Sequence, residues 1–195
     1  MIRTLDILFS LVGLILLSPL FVVLYVMIRF ESKGGGFYSQ QRIGKNGVPF
    51  RLYKFRSMRT GSDSKGLITV GERDSRITRT GLFIRKYKLD ELPQLWNVLI
   101  GDMSLVGPRP EVEKYTRLYT TEQRKVLSVR PGITDWASIE YVDENRILGA
   151  ADDPDRAYVE QIMPDKIALN MRYINNHTVF EYLHIILATL KSIVR

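Results

Sequence analysis

The chain has 195 residues, a formal net charge of +7 and no cysteine. The absence of cysteine excludes a disulfide framework, a thiolate nucleophile and a Cys-ligated zinc site, and the length suits one ordinary domain. The basic charge favours an anionic partner, such as nucleic acid, a nucleotide sugar or a lipid headgroup. His177 and His184 lie near the C-terminus without an acidic cluster, so histidine-based catalysis is not expected.

The first predicted element is an apolar segment that runs from Leu5 to Phe30. As a straight helix its roughly 26 residues would reach about 39 Å, against a hydrocarbon core of about 30 Å. No small-residue cleavage site follows, so it does not read as a removable signal peptide. Asp6 and Arg29 are expected near its ends, where charges reach the interface. The pattern predicts a membrane-embedded segment.

Ser18 and Pro19 interrupt this segment near its centre. Pro19 removes the hydrogen bond to the Ile15 carbonyl and kinks the helix, while the Ser18 hydroxyl can satisfy a freed carbonyl one turn back. Basic residues flank the segment on both sides. If both flanks are cytoplasmic, residues 1–33 form a re-entrant helix–break–helix, and residues 34–195 form a domain at the cytoplasmic face. A single-pass anchor is the alternative.

The next predicted element is a β-hairpin. After the glycine-rich "ESKGGG", an Asn46-Gly47 turn separates two runs of aromatic and aliphatic residues, which is a strong hairpin signal. The second strand presents Arg51, Lys54 and Arg56. A loop rich in Gly and Ser, residues 59–76, follows.

An acidic pair comes next, in "LDELPQLWNVLIGDMSLVGPRP". Asp90 is predicted to cap a helix, Glu91 suits the positive end of its dipole, and Pro93 is tolerated in a first turn. The same helix is predicted to bury a face made of Leu92, Leu95, Trp96 and Leu99. Because a helix N-terminus also holds phosphate, capping does not exclude a second role for the pair.

The remainder of the chain is predicted to be mostly helical. Pro108 and Pro110 fix the backbone around Arg109. A helix at about 121–129 precedes "RPGITDWASIEYVDENRIL", which reads as loop and short strand, and two further helices close the chain. The last helix carries an apolar stripe that suits a core face or a membrane surface equally, made of Leu183, Ile186, Leu187, Leu190 and Val194.

The apolar segment with Ser18-Pro19, then "YKFRSM", the acidic-pair motif and "RPGIT" in this order resemble the bacterial sugar transferase family, the small monotopic polyprenyl-phosphate phosphoglycosyl transferases. The likeness covers nearly the whole chain. It implies an α+β fold, mainly helical, with a re-entrant membrane helix, a small β-hairpin, a cytoplasmic catalytic domain and amphipathic interfacial helices.

The resemblance also implies an activity. Family members transfer a phosphosugar from a UDP-sugar to a polyprenyl (undecaprenyl) phosphate at the cytoplasmic face of the bacterial inner (plasma) membrane, and they release UMP and require Mg²⁺. This is a first membrane step of glycoconjugate assembly. The implied partners are UDP-sugar, polyprenyl phosphate and membrane lipid, with a homodimer possible and no nucleic acid.

The family's Asp-Glu dyad falls on Asp90 and Glu91. Asp90 is the expected nucleophile, because an acyl phosphate keeps the transferred group activated. Glu91 is the expected Mg²⁺ ligand, and the residues expected to contact phosphate are Lys54, Arg85 and Arg109, with Arg146 as a weaker candidate. After "RPGIT" the chain departs from the commonest family pattern at Asp135 and in "EYVDENRIL", which leaves the sugar and nucleotide contacts open.

Two other classes of protein remain. One is a basic peripheral protein that binds anionic lipid or nucleic acid without chemistry. The other is a family member that has lost its activity and serves as a membrane scaffold. Release of UMP from a UDP-sugar in the presence of polyprenyl phosphate separates both from an enzyme.

Overall fold

The computed structural model describes residues 1–62 and 74–193, in which the chain is mainly helical with two small pairs of strands, in agreement with the α+β expectation. The predicted Gly- and Ser-rich loop lies mostly outside these residues, and so does Val194. The α-helices are α1 (Ile2–Leu16), α2 (Ser18–Glu31), α3 (Arg79–Lys86), α4 (Gln94–Ile100), α5 (Glu113–Thr116), α6 (Trp136–Glu140), α7 (Glu144–Gly149), α8 (Pro154–Ala157), α9 (Met163–Asn175) and α10 (Val179–Ile193). The strands are β1 (Phe37–Ile43), β2 (Pro49–Phe55), β3 (Ser104–Val106) and β4 (Gly132–Thr134).

The predicted hairpin is confirmed. Strands β1 and β2 pair antiparallel from Phe37 opposite Phe55 to Ile43 opposite Pro49. Asn46 and Gly47 connect them with φ of 58° and 76°, backbone angles that Asn and Gly adopt most readily. A second, parallel pair forms between β3 and β4, and it was not predicted.

Helices α1 and α2 meet at a bend of 61°. The predicted role of Ser18 at this bend is confirmed, because its hydroxyl donates to the Ile15 carbonyl at 2.8 Å, the acceptor that Pro19 leaves free. Among the described helices, none is long and apolar enough to cross a membrane alone, whereas the bent α1–α2 pair has a suitable length and composition.

The first turns of α1 are tied to the rest of the protein. Asp6 is only 2% exposed, and its Oδ1 accepts hydrogen bonds from Ser104 Oγ, the Leu105 N–H and Tyr182 Oη, each at 2.9 Å. The expectation that Asp6 reaches a membrane interface is therefore wrong, since three donors inside the protein satisfy the carboxylate. Arg3 donates to the last carbonyls of α4, at Val98 and Leu99.

The C-terminal end of α2 is tied to the same body. Arg56, which directly follows β2, donates to the carbonyls of Ser32 and Lys33, the two residues that follow α2. The Glu31 carboxylate accepts from the N–H groups of Arg79 and Thr80 at 2.6 and 2.8 Å, at the start of α3. The inner face of α2 packs there in a buried apolar cluster made of Leu24, Ile28, Phe55 and Ile84.

The helix predicted from the acidic pair begins later and buries a different face. Asp90 lies in a short 3-10 turn, Leu89–Glu91, and α4 begins only at Gln94. Asp90 is thus not an N-cap. Trp96 is 50% exposed, and the buried residues of α4 are Gln94, Asn97 and Val98. Asn97 is buried because its side chain bonds the backbone of β2 at Arg51 and Tyr53.

The segment from 130 to 148 is more helical than predicted. The short strand is present as β4, but α6 and α7 occupy the part expected to be loop. Asp135 explains the start of α6, because its carboxylate accepts from the Ser138 N–H as a helix cap. The helix expected near 121–129 is present as a 3-10 helix, Gln123–Ser128.

The predicted apolar stripe of helix α10 is divided between the two alternatives, because Ile186 packs against a buried cluster that contains Tyr182 and Ile185. The fully buried residues of α10 are Tyr182 and Ile185, whereas Leu183, Leu187 and Leu190 are exposed, Leu187 by 66%. The core-face alternative is therefore wrong for these three leucines. Large apolar side chains are also exposed along α1, α2, α3 and α4.

We predict that Asp6→Ala lowers the free energy of unfolding by about 3 kcal/mol, because three buried donors then lack an acceptor. Asp6→Asn should cost less, since it retains an Oδ1 acceptor. The measurement is chemical unfolding of the detergent-solubilised chain, with the exposed Thr4→Ala as control. Equal stability of the three variants would show that the contacts of Asp6 do not hold α1 in place.

Candidate active site

A cavity of about 590 Å³ opens between the β-hairpin, the turn before α4, and helices α6, α7 and α9. Among the described residues, four carboxylates line it: Asp90, Glu91, Glu111 and Glu144. Nine cationic side chains of the same described ranges line it as well: Arg42, Lys54, Arg56, Arg59, Arg76, Arg85, Lys88, Arg109 and Lys166. This excess of positive charge in a concave site attracts anions such as phosphates.

The acidic pair reaches the cavity through a sharp change of chain direction. Helix α3 ends at Lys86, and Lys88 adopts a left-handed conformation with φ of 55°. A left-handed conformation costs a residue other than glycine about 1 kcal/mol. The 3-10 turn that follows places Asp90 and Glu91 in the cavity wall.

Two cationic side chains pair with the Glu91 carboxylate, one from earlier in the sequence and one from later. Lys54 Nζ lies 3.1 Å from Oε1, and the Arg109 guanidinium grips both oxygens, with Nη1 at 3.2 Å from Oε2. Burial alone would raise the pKa of Glu91, but Arg109 and Lys54 outweigh it and hold that pKa well below its usual range. Glu91 is therefore ionised and largely neutralised by its partners.

Asp90 is in the opposite situation. It is 7% exposed, and among the described residues no donor forms a hydrogen bond or ion pair with its carboxylate. Burial raises the pKa of Asp90, while the charge of Lys54 acts against this. A carboxylate that is poorly solvated, bound by no donor and turned to a basic cavity is available as a nucleophile.

The paired strands β3 and β4 position Arg109, which follows β3 in the chain. Gly107 and Gly132 lie so close that a Cβ on Gly132 would come within 2.1 Å of the Gly107 nitrogen, so both positions require glycine. The Arg109 N–H donates to the buried carboxylate of Asp135, the residue that caps α6. Asp135 thus joins the start of α6 to the backbone of Arg109.

The predicted site residues are mostly brought together. Asp90, Glu91, Lys54, Arg85 and Arg109 all line the cavity. Their assigned roles remain predictions.

The structure places Arg146 elsewhere. It pairs with Asp143 at 3.0 Å on the exposed side of α7 and is not part of the cavity lining.

One side of the cavity, formed by β1, was not predicted from the sequence. Tyr38, Gln40 and Arg42 alternate along β1 and line the cavity, a period of two that a strand pattern can reveal. Arg42 donates to Gln40 and to the Pro110 carbonyl, and it lies 3.9 Å from Glu111. Burial lowers the pKa of Arg42.

The donor set suits a magnesium ion that is shared with a phosphate ligand. Within the described ranges no group of three or more Asp, Glu, His or Cys side chains could hold a metal alone. Mg²⁺ is commonly bound by one or two carboxylates and completed by substrate phosphates. Three hydrogen bonds use three of the roughly four acceptor positions of Glu91, so one position on Oε2 remains for an ion.

The whole chain, residues 1–195, matches the family described as bacterial sugar transferase. A UDP-N-acetylgalactosamine-undecaprenyl-phosphate N-acetylgalactosaminephosphotransferase from Aeromonas hydrophila is 38% identical over 98% of the chain and 43% of its own length. The galactosyl transferase CpsE from Streptococcus agalactiae is 38% identical over 98% of the chain and 41% of its own length. The exopolysaccharide production protein ExoY from Rhizobium meliloti is 32% identical over 98% of the chain and 84% of its own length. The chain thus spans about two fifths of the first two relatives and most of the third.

We predict that Glu91→Gln lowers the free energy of unfolding at pH 7 by about 2 to 4 kcal/mol, because Lys54 and Arg109 lose their counter-charge. The folded-state pKa of Glu91 is lowered from 4.5, so its stabilisation is complete above that value and is lost as the pH falls through the folded-state pKa. The difference between wild type and variant should therefore stay constant from pH 7 to about 4.5 and shrink below it.

The measurement is denaturant unfolding across this pH range, with Glu113→Gln as control. Glu113 pairs with Arg117 on the exposed surface, where a pair contributes at most about 1 kcal/mol. A Glu91→Gln difference no larger than that of the control would contradict the neutralisation of Glu91 by Lys54 and Arg109.

Proposed function

The chain belongs to the bacterial sugar transferase family, and on this premise we propose that it transfers a phosphosugar from a UDP-sugar to a polyprenyl phosphate and releases UMP. Undecaprenyl phosphate is the acceptor in the names of several relatives. The reaction is a first membrane step in the assembly of a bacterial glycoconjugate. The observation that carries the proposal is the unpaired carboxylate of Asp90 in a basic cavity, beside a second carboxylate that two cations neutralise.

In the first step, an oxygen of Asp90 attacks the β-phosphorus of the UDP-sugar. A bond forms between the carboxylate oxygen and phosphorus, and the bond from that phosphorus to the bridging oxygen breaks, so that UMP leaves with both bonding electrons. The product is an acyl phosphate that carries the sugar on Asp90. The pairing of Glu91 with Lys54 and Arg109 supports this division of roles, since it leaves only the Asp90 carboxylate free to attack phosphorus.

In the second step, a phosphate oxygen of the polyprenyl phosphate attacks the same phosphorus and expels the Asp90 carboxylate. The acyl phosphate keeps the phosphoryl group activated, so the pyrophosphate linkage lost in the first step is restored in the second. Lys54, Arg85 and Arg109 line the cavity, where their positive charge offsets the repulsion between an anionic nucleophile and an anionic phosphate. Arg85 and Arg109 each carry a planar guanidinium, whose paired N–H groups match phosphate oxygens.

Glu91 is the residue that would hold Mg²⁺ in this site. When bound, the ion would neutralise charge on the pyrophosphate oxygens. The orientation of Glu91 by Lys54 and Arg109 leaves one acceptor position on Oε2 for it.

We also propose that the protein is monotopic and lies on the cytoplasmic face of the bacterial inner membrane. Both ends of the α1–α2 pair bond the same body, through Arg3 and Asp6 at one end and Glu31 and Ser32 at the other. This arrangement supports a segment that enters one leaflet and returns. It would hold the cavity at the depth where a polyprenyl phosphate meets a water-soluble nucleotide sugar.

We predict that Asp90→Asn abolishes UMP release, because the amide cannot supply the attacking oxygen anion. Release is measured from the detergent-purified chain with a UDP-sugar and undecaprenyl phosphate. Asp143→Asn makes the same change at an exposed position outside the cavity lining and should retain wild-type turnover. Sustained UMP release by Asp90→Asn would remove Asp90 from the role of nucleophile.

Removal of divalent metal is expected to stop turnover, and Mg²⁺ should restore it. Glu91→Gln should turn over more slowly and need a higher Mg²⁺ concentration for half-maximal activity, since the amide is a weaker metal ligand. A magnesium titration of both proteins after treatment with a chelator measures this. Full activity in excess chelator would mean that Lys and Arg side chains alone balance the pyrophosphate charge.

The topology is testable because the chain has no cysteine. Thr4→Cys and Gly35→Cys should both be labelled by an impermeant maleimide from the cytoplasmic side of oriented membranes. Leu16→Cys, near the bend, should react only after detergent is added, since lipid covers it. Labelling of positions 4 and 35 from opposite sides would establish a spanning anchor instead.

A further inference from the structure

The cavity has a second wall, built from elements other than the turn that carries the acidic pair, and the proposed mechanism does not use it. It is formed by the end of α6, the start of α7 and one turn of α9, which bring Ser138, Glu144, Asn145 and Lys166 to the same surface. Tyr158 begins a π-helical turn that leads into α9 and lines the same wall. Such turns occur frequently at functional sites.

Lys166 holds the carboxylate of Glu144 in place. Lys166 is 7% exposed, its Nζ lies 2.8 Å from Glu144 Oε2, and it sits over the Tyr158 ring at 5.3 Å. A buried lysine is stabilised by such partners. Among the described residues nothing donates to the other carboxylate oxygen of Glu144, so that oxygen is available to a ligand.

The neighbours of Glu144 offer further polar groups. The Ser138 hydroxyl is a buried oxygen with no hydrogen-bond partner among the described residues. Asn145 follows Glu144 and carries an amide that both donates and accepts. A carboxylate, an amide and a hydroxyl in one wall are the groups that bind the hydroxyls of a sugar ring, and unused buried polar atoms favour a ligand that pairs with them.

We propose that this wall binds the sugar ring of the donor, with the Glu144 carboxylate accepting hydrogen bonds from its hydroxyl groups and so contributing to the choice of sugar. This inference rests on the proposed function. Glu144 and Arg109 line the same cavity, so the wall faces the space that also receives Arg109, the partner of Glu91. In a UDP-sugar the attacked phosphate carries the sugar directly, whereas a second phosphate and a ribose separate it from uracil. The sugar is therefore the part of the donor that falls closest to Glu144.

The test compares Glu144→Gln with wild type, using UDP-glucose, UDP-galactose, UDP-N-acetylglucosamine and UDP-N-acetylgalactosamine as donors. We expect kcat/KM for the preferred donor to fall at least tenfold and the order of preference among the four to change. Inhibition by UDP, which lacks the sugar, should stay within twofold. Glu140→Gln is the matched control, since Glu140 is exposed on α6 and does not line the cavity.

Asn145→Ala is a second variant, at an exposed position where folding is not at risk. It should lower kcat/KM about threefold with unchanged inhibition by UDP. Unchanged donor kinetics in both variants, an equal loss for all four donors, or a parallel loss of UDP inhibition would overturn the inference, the last pointing to the nucleotide instead. A wild-type protein that releases no UMP from any donor would overturn the proposed function as well.

Discussion

The site depends on the pairing of Glu91 with two cations. Adjacent carboxylates in a buried position repel one another, and two unpaired charges would be costly to hold there. Lys54 comes from the hairpin and Arg109 from the segment between Pro108 and Pro110, so the ion pair joins two parts of the fold across the turn that carries the acidic pair. Because Lys54 and Arg109 offset the charge of Glu91, the repulsion that Glu91 exerts on Asp90 is reduced, while burial still raises the pKa of Asp90.

The same turn is joined to the bent helix pair through several polar contacts. Helix α4, which follows the acidic pair, has its last carbonyls bound by Arg3. Helix α3, which precedes it, has its first N–H groups bound by Glu31. The two ends of the helix pair therefore hold the helices on both sides of Asp90. If the helix pair moved relative to the rest of the protein, these contacts would shift α3 and α4, and with them the turn that carries Asp90.

Local signals in the sequence predicted the local features well. The Asn46-Gly47 turn specifies its hairpin through backbone angles that few other residues tolerate, and Ser18 lies within one turn of the carbonyl that Pro19 frees. The start of α4 was mispredicted because Lys88, not a capping residue, redirects the chain, and no local rule indicates a left-handed lysine. The contacts of Asp6, Asp135 and Arg42 join residues far apart in sequence, so composition and spacing could not indicate them. Arg146 shows the reverse case, since its charge suits phosphate but α7 directs it to the exposed surface.

The most direct test of this account is to find the atom that carries the phosphosugar. The purified chain is incubated with a UDP-sugar in the absence of polyprenyl phosphate, quenched, digested and examined by mass spectrometry. The account predicts an increase in mass equal to one phosphosugar, located on the peptide that contains Asp90 and removed when polyprenyl phosphate is added before quenching. An adduct on Glu91, or UMP release without any adduct on the chain, would contradict it.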